Sequence, residues 1–281
     1  MSTYLDAARL GRPGAWRSLL AVPLILFVWL ILGSMPAVAL LMLSGATSAE
    51  ALSPLAYFLA AMASFVCLLA GLWLAVRLVH GRPFASLIRV GGPIRWRRAA
   101  QGFGVWFGLA ALLALAEALL YPGRYAFTLD AGPFVVFAVL VIGLVPIQAG
   151  TEELVFRGYV LQTAGQWLRR PWVLCALSGL LFALPHLGNP EIAVNPWLLL
   201  AYNFSFGVFA ALITLKDDGL ELALGLHTAN NLFAALLANY PNSALPTPAL
   251  FTVDTLDPVF NLAASLVGFA AFYGIVFRRR A

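Results

Sequence analysis

The stretch Gly150-Thr151-Glu152-Glu153-Leu154-Val155-Phe156-Arg157-Gly158 follows almost directly on the apolar run Phe134–Ile147. Adjacent carboxylates at the end of such a run need a reason. An ionisable side chain at bilayer depth costs about 2.5–3.5 kcal/mol on insertion scales, so it marks a functional site by default. On an exposed, soluble helix the same pair would need no explanation. The reading therefore depends on whether the surrounding chain is a membrane protein.

Composition answers that. Of 281 residues, 62% are hydrophobic and 10% charged, against about 25% charged in soluble domains. Mean hydropathy is +0.90. The two cysteines, Cys67 and Cys175, lie inside apolar runs without metal-ligand spacing and read as packing residues. A membrane-crossing helix needs about 20 mostly apolar residues. Eight runs qualify: Leu19–Leu43, Ser53–Val79, Ala99–Leu120, Pro133–Ala149, Trp172–Leu184, Trp197–Leu215, Leu220–Ala238 and Pro258–Phe277. The first is too long for the apolar core of a signal peptide and is followed by further spans, so it is expected to stay. The fourth can continue as one helix through Glu152 and Glu153 to Leu168.

The basic residues fix an orientation. With the N-terminus inside, the inner segments 1–18, 77–98, 169–170, 216–218 and 278–281 hold 15 of the 17 Lys and Arg residues. Only Arg124 and Arg157 fall elsewhere. The outer loops carry Glu50, Asp130, Glu191, Asp254 and Asp257. This asymmetry predicts cytoplasmic N- and C-termini in a multi-pass cell-membrane protein. It also accounts for the net charge of +5 without nucleic acid, because the positive side chains face anionic lipid. The expected architecture is all-α and polytopic: a single integral membrane domain over residues 1–281, with about eight transmembrane helices and an active site between helices within the bilayer.

Three polar clusters interrupt the apolar helices: Glu152-Glu153-x-x-x-Arg157, Phe182-x-x-x-His186 and His227-x-x-x-Asn231. The remaining histidine, His80, sits in a basic inner loop and reads as a surface residue. Glu153 and Arg157 are i,i+4, which predicts a salt bridge and leaves Glu152, on another face, without an intrahelical partner. His227 and Asn231 project together from one helix. Counted from their inner anchors at a rise of 1.5 Å per residue, Glu152 and His186 each lie about 25 Å along, and His227 and Asn231 about 16–22 Å, so the four can converge. A carboxylate in a low-dielectric site suits a general base towards water. A histidine can share that water, and a second histidine with an amide can face a developing oxyanion. The same set, Glu152, His186, His227 and Asn231, is also a ligand list for a divalent metal such as zinc, two imidazoles and a carboxylate with an open position. Either arrangement fits amide hydrolysis.

These three motifs, in this order on successive apolar helices, resemble the CAAX protease and bacteriocin-processing family of intramembrane proteases. It is also called the abortive-infection family and includes the type II CAAX prenyl endopeptidases. The resemblance covers about residues 134–235, a motif-bearing protease core, and Phe206-Gly207 to Gly219-Leu220 looks like the family's glycine-containing approach to its third motif. It implies an intramembrane endopeptidase acting on a membrane-associated peptide or protein, prenylated or leader-bearing. Glu152 and His186 would activate the attacking water, while His227 and Asn231 would stabilise the oxyanion or bind a metal. Glu153 and Arg157 would hold the helix and the first carboxylate in place, with Phe182 supporting. Pro185 directly before His186, and the irregular segment Gly188–Pro196, depart from regular helix.

Other classes fare less well. A non-catalytic immunity or scaffold protein of the same fold would not need a general base. A transporter would show inverted repeats, and none is visible. Ser178-Gly179 has no serine-protease framework around it. Asp217 and Asp218 adjoin at an inner turn, as a solvated helix cap would, rather than facing each other as an aspartyl dyad.

Overall fold

Within a bilayer every backbone N–H and C=O must be satisfied internally, which leaves helices as the means of crossing for apolar runs of this length. The computed structural model describes residues 4–12, 14–48 and 51–278. Glu50, Arg279 and Arg280, which contribute to the charge pattern, lie outside the described residues.

Eight helices form the body: α1 (Ala15–Ser44), α2 (Pro54–Val79), α3 (Trp96–Leu120), α4 (Ala131–Ala164), α5 (Pro171–Gly188), α6 (Pro196–Asp217), α7 (Glu221–Leu236) and α8 (Pro258–Phe277). Several starts are written in the sequence as a capping residue followed by proline, which tolerates the first helical position because its missing N–H needs no partner there. Ser53 Oγ accepts from Ala56 N (3.3 Å), Asn195 Oδ1 from Leu198 N (3.1 Å), and Asp257 Oδ1 from Val259 N and Phe260 N (both 3.0 Å).

Seven of the eight are long and apolar enough to cross a membrane among the described residues. The exception, at the expected span Leu220–Ala238, is shorter, but the chain there still runs from Glu221 at the arginine-rich end to Ala238 in the sheet at the other. Helix α7 has 16 residues, about 24 Å at helical rise, and packs among other helices. Its contact with α3 is close because glycine stands at both crossing points: a Cβ on Gly225 would lie 1.9 Å from Ala99 O, and one on Gly102 2.4 Å from Leu222 O. Helices α5 and α6 cross in the same way at Gly179 and Gly207, the small-residue packing that lets apolar helices approach in the absence of a hydrophobic drive.

The fourth run does continue past the acidic pair, to Ala164, and widens into a π-helix over Leu154–Val160. A π turn shifts the hydrogen-bond ladder and leaves carbonyls to be met by side chains. Here Ser178 Oγ donates to Phe156 O (3.3 Å), and Tyr4 Oη donates to Arg157 O (3.0 Å) and Leu87 O (2.6 Å). Ser178 is thus a structural hydroxyl.

The ends of the bundle differ in charge, as the pattern of basic residues predicts. At one end Arg95 and Arg98 meet Asp217 and Glu221, Arg17 donates to Val79 O (2.8 Å), and Tyr4 N donates to Asp218 Oδ1 (2.8 Å). Asp217 is buried between two arginines rather than solvated, a correction to the expected cap. His80 also departs from expectation: it is half-buried and hydrogen-bonds Tyr159 Oη (3.0 Å). At the other end a small sheet appears that periodicity does not announce. Strand β1 (Tyr125–Phe127) pairs antiparallel with β3 (Phe251–Val253), which pairs parallel with β2 (Ala238–Asn239). Arg124 ties this end together through Glu117 (2.8 Å) and Asp257 (3.4 Å).

Candidate active site

Helices α4, α5, α6 and α7 enclose the polar groups, and the π turn places Glu152, Glu153 and Arg157 where α4 meets α7. Arg157 Nη1 donates to Glu153 Oε1 (2.8 Å), as the i,i+4 spacing predicts. Both residues are completely buried. The pair also reaches across to α7, since Glu153 Oε1 lies 2.8 Å from His227 Nδ1. An ionised carboxylate only accepts, so this contact puts a hydrogen on Nδ1 and turns Nε2 the other way. His227 Nε2 then stands 3.4 Å from Glu152 Oε2 and 3.3 Å from Asn231 Nδ2. Asn231 Nδ2 donates to Gln148 Oε1 (2.9 Å), and Asn231 Oδ1 accepts from Asn230 Nδ2 (3.1 Å). Asn230 is itself fixed by Trp106 Nε1 (3.2 Å).

His186 approaches from the end of α5. Its Nδ1 is 2.8 Å from Phe182 O, an acceptor, so Nε2 is the nitrogen left with a lone pair. Phe182 holds the group together from below. Its ring lies 4.6 Å from the His186 ring and 5.8 Å from the His227 ring, stacks on Phe206, and takes the Arg157 guanidinium on its face at 4.3 Å. These packed aromatics keep the polar atoms in one place and dry on one side.

Glu152, His186, His227 and Asn231 all line one cavity of about 960 Å³. Glu153 and Arg157 stand behind its wall. The direct contact within this set is between α4 and α7; His186 joins the other three across the cavity, and among the described residues its ring hydrogen-bonds the Phe182 carbonyl.

The model for type II CAAX prenyl endopeptidase Rce1-like proteins matches residues 131–233, the segment that carries all three motifs. A protein of Bacillus subtilis (strain 168), the uncharacterized protein YyaK, is 35% identical over 212 residues, which cover 72% of this chain and 71% of that one. The chain belongs to the Rce1-like family. No solved structure matches it. Membership gives the fold of a CAAX-type intramembrane protease, in a family that is generally proteolytic.

Two features of this Rce1-like site escape a reading by motif. Gln148, one helical turn before Glu152, is nearly buried and positions Asn231. An amide inside an apolar run is a signal that was available, because such groups persist in membrane helices when they bond across to a neighbour. The second is that Glu153 engages His227 as well as Arg157, so it fixes the imidazole on another helix. Both Nδ1 atoms are engaged, which leaves Nε2 of His186 and of His227 as the nitrogens that could meet a ligand. Among the described residues no group of three or more His, Cys, Asp or Glu side chains is gathered closely enough to hold a metal.

Proposed function

We propose that this protein is an intramembrane endopeptidase in which Glu152 and His186 activate water against a peptide bond of a membrane-associated substrate. The observation that carries the reading is Glu152 Oε2 facing His227 Nε2 at 3.4 Å on the wall of a cavity that His186 also lines. A water between Glu152 and the free Nε2 of His186 gives up a proton to the carboxylate as its oxygen attacks the carbonyl carbon. The resulting oxyanion accepts from Asn231 Nδ2 and from His227, which in this role carries hydrogens on both nitrogens and keeps one on Glu153. The C–N bond then breaks, and the proton held by Glu152 passes to the leaving amine. No step needs an ion beyond these side chains.

The reading extends to place and partner. The basic end of the bundle faces the cytoplasm with both termini, the motif-bearing core is about residues 134–235 of a single membrane domain, and the partners are lipid and a peptide or protein, prenylated or leader-bearing. The test is the purified protein in detergent, assayed on prenylated and bacteriocin-leader peptides. Wild type should cleave at least one of them, whereas Glu152→Gln and His186→Ala should not. Cleavage that survives both substitutions would remove the mechanism, and a non-catalytic scaffold would cleave nothing.

A further inference from the structure

Trp106 stands on α3, outside residues 131–233 that carry the three motifs. Its indole is 3% exposed, stacks on Phe269 with ring centroids 5.3 Å apart, and meets the edge of Phe272 at 6.3 Å. The ring is thereby fixed with Nε1 towards α7, where it donates to Asn230 Oδ1 (3.2 Å). An indole N–H only donates. The oxygen of Asn230 therefore faces Trp106, and Asn230 Nδ2 donates to Asn231 Oδ1 (3.1 Å). That leaves Asn231 Nδ2 towards Gln148 Oε1 (2.9 Å), His227 Nε2 (3.3 Å) and the cavity. Tyr202 stands against Asn230 from α6, but a hydroxyl both donates and accepts and does not oppose this direction. The chain of amides has one polarity, and the indole sets it. Reversed, Asn231 would present a carbonyl oxygen where the oxyanion forms.

We propose that Trp106 and Asn230 are positioning residues: through a one-way chain of hydrogen bonds they hold the Asn231 amide with its N–H groups to the cavity, so that a helix outside the motif-bearing segment sets the oxyanion donor. The two ends of a carboxamide are nearly equal in size, so packing alone fixes its direction poorly, and a donor-only neighbour decides it. The proposal rests on the endopeptidase reading for the reaction it serves, while the setting of the Asn231 amide is measurable without turnover.

The test compares kcat and KM on a peptide that wild type cleaves. Trp106→Phe keeps a stacked ring and removes the donor; Asn230→Leu keeps the size and removes both links. Asn231→Ala should cost about 10²- to 10³-fold in kcat, the scale for one oxyanion donor. Asn230→Leu should cost about 10- to 100-fold and Trp106→Phe about tenfold, as for a misplaced group, each with KM little moved. In an Asn231→Ala background neither should cost anything further, because residues that act as a unit are not additive. No loss in kcat, equal losses in both backgrounds, or a rise in KM with kcat unmoved would overturn the proposal, leaving Trp106 as packing and Asn230 as part of the binding wall. If Trp106→Phe does not fold, Asn230→Leu in the two backgrounds decides. The measurement free of turnover is nuclear magnetic resonance of isotope-labelled asparagine side chains. The Asn231 amide signal, identified by its loss in Asn231→Asp, should shift in Trp106→Phe, and an unmoved signal would also overturn the proposal. A wild type that cleaves nothing but shows the shift would remove the endopeptidase reading and leave the amide chain standing.

Discussion

Two buried polar regions of this protein are built on different rules. At the basic end, Asp217 and Glu221 are each met by guanidinium groups: Arg98 Nη2 lies 2.5 Å from Asp217 Oδ1, and Arg95 Nη2 lies 2.8 Å from Glu221 Oε2. In the cavity, Glu152 is 8% exposed and faces an imidazole at 3.4 Å, and among the described residues no guanidinium forms a direct ion pair with it. A carboxylate clamped by arginines is held immobile, which serves structure. One left beside a histidine and open space can take a proton and return it. Glu152 and Glu153 repeat the contrast one residue apart, since Glu153 has Arg157 and Glu152 has the cavity.

The largest effect expected from breaking this contrast is at Glu152. Glu152→Gln keeps size and polarity and removes the base, so kcat should fall by about 10³-fold or more with the melting temperature almost unchanged. Glu153→Gln should act chiefly on stability, with a smaller loss of kcat because Glu153 also orients His227. It leaves the completely buried Arg157 without its counter-charge, a loss of about 3–5 kcal/mol in stability seen as a lower thermal midpoint in detergent. If Glu153→Gln proved stable and inactive, the division of labour between the two glutamates would be wrong. Asp217→Asn tests the basic end alone: the folded fraction should lose about 3 kcal/mol of stability yet cleave normally per mole.

A smaller effect is expected at Gln148. It lines the cavity and fixes the Asn231 amide at 2.9 Å. Gln148→Leu should cost about tenfold in kcat, the scale of a misplaced catalytic group, with KM little changed. A KM effect without a kcat effect would make Gln148 part of the binding wall instead.

The helices and the site were legible to different degrees for physical reasons. Apolar run length is a direct consequence of bilayer thickness, so seven long helices stand where the sequence places them, and α4 runs through the motif to Ala164 rather than Leu168. Helix α7 stands where its apolar run places it but is shorter, ending at Leu236 before Ala238 enters the sheet. The sheet of Tyr125–Phe127, Ala238–Asn239 and Phe251–Val253 was missed because strands of two or three residues show no alternation to read. Motif spacing gave the Glu153–Arg157 bridge outright, an intrahelical fact. It gave the approach of α4 to α7 only as matching depths along the helices, since which helices touch depends on crossings such as Gly225 on Ala99. The Asp217 cap and the exposed His80 failed for one reason: loops at the basic end fold back onto the bundle instead of trailing into water.

His80 gives the smallest and most specific prediction at that end. Burial, with Arg82 and then Arg17 close by, pushes its pKa down to about 4 from an ordinary value of 6.5. It is therefore neutral in the folded protein at neutral pH and hydrogen-bonds Tyr159 Oη at 3.0 Å. Between pH 6.5 and about 4 the unfolded chain binds a proton that the folded one refuses, so stability is lost as pH falls through that window and no further below it. His80→Gln keeps a polar side chain without a titrating group. The drop in thermal midpoint between pH 7.5 and pH 5 should shrink in this variant relative to wild type, while the midpoint at pH 7.5 moves little. An unchanged drop would mean that the acid sensitivity of this end does not come from His80, and its buried hydrogen bond to Tyr159 would then be incidental to stability.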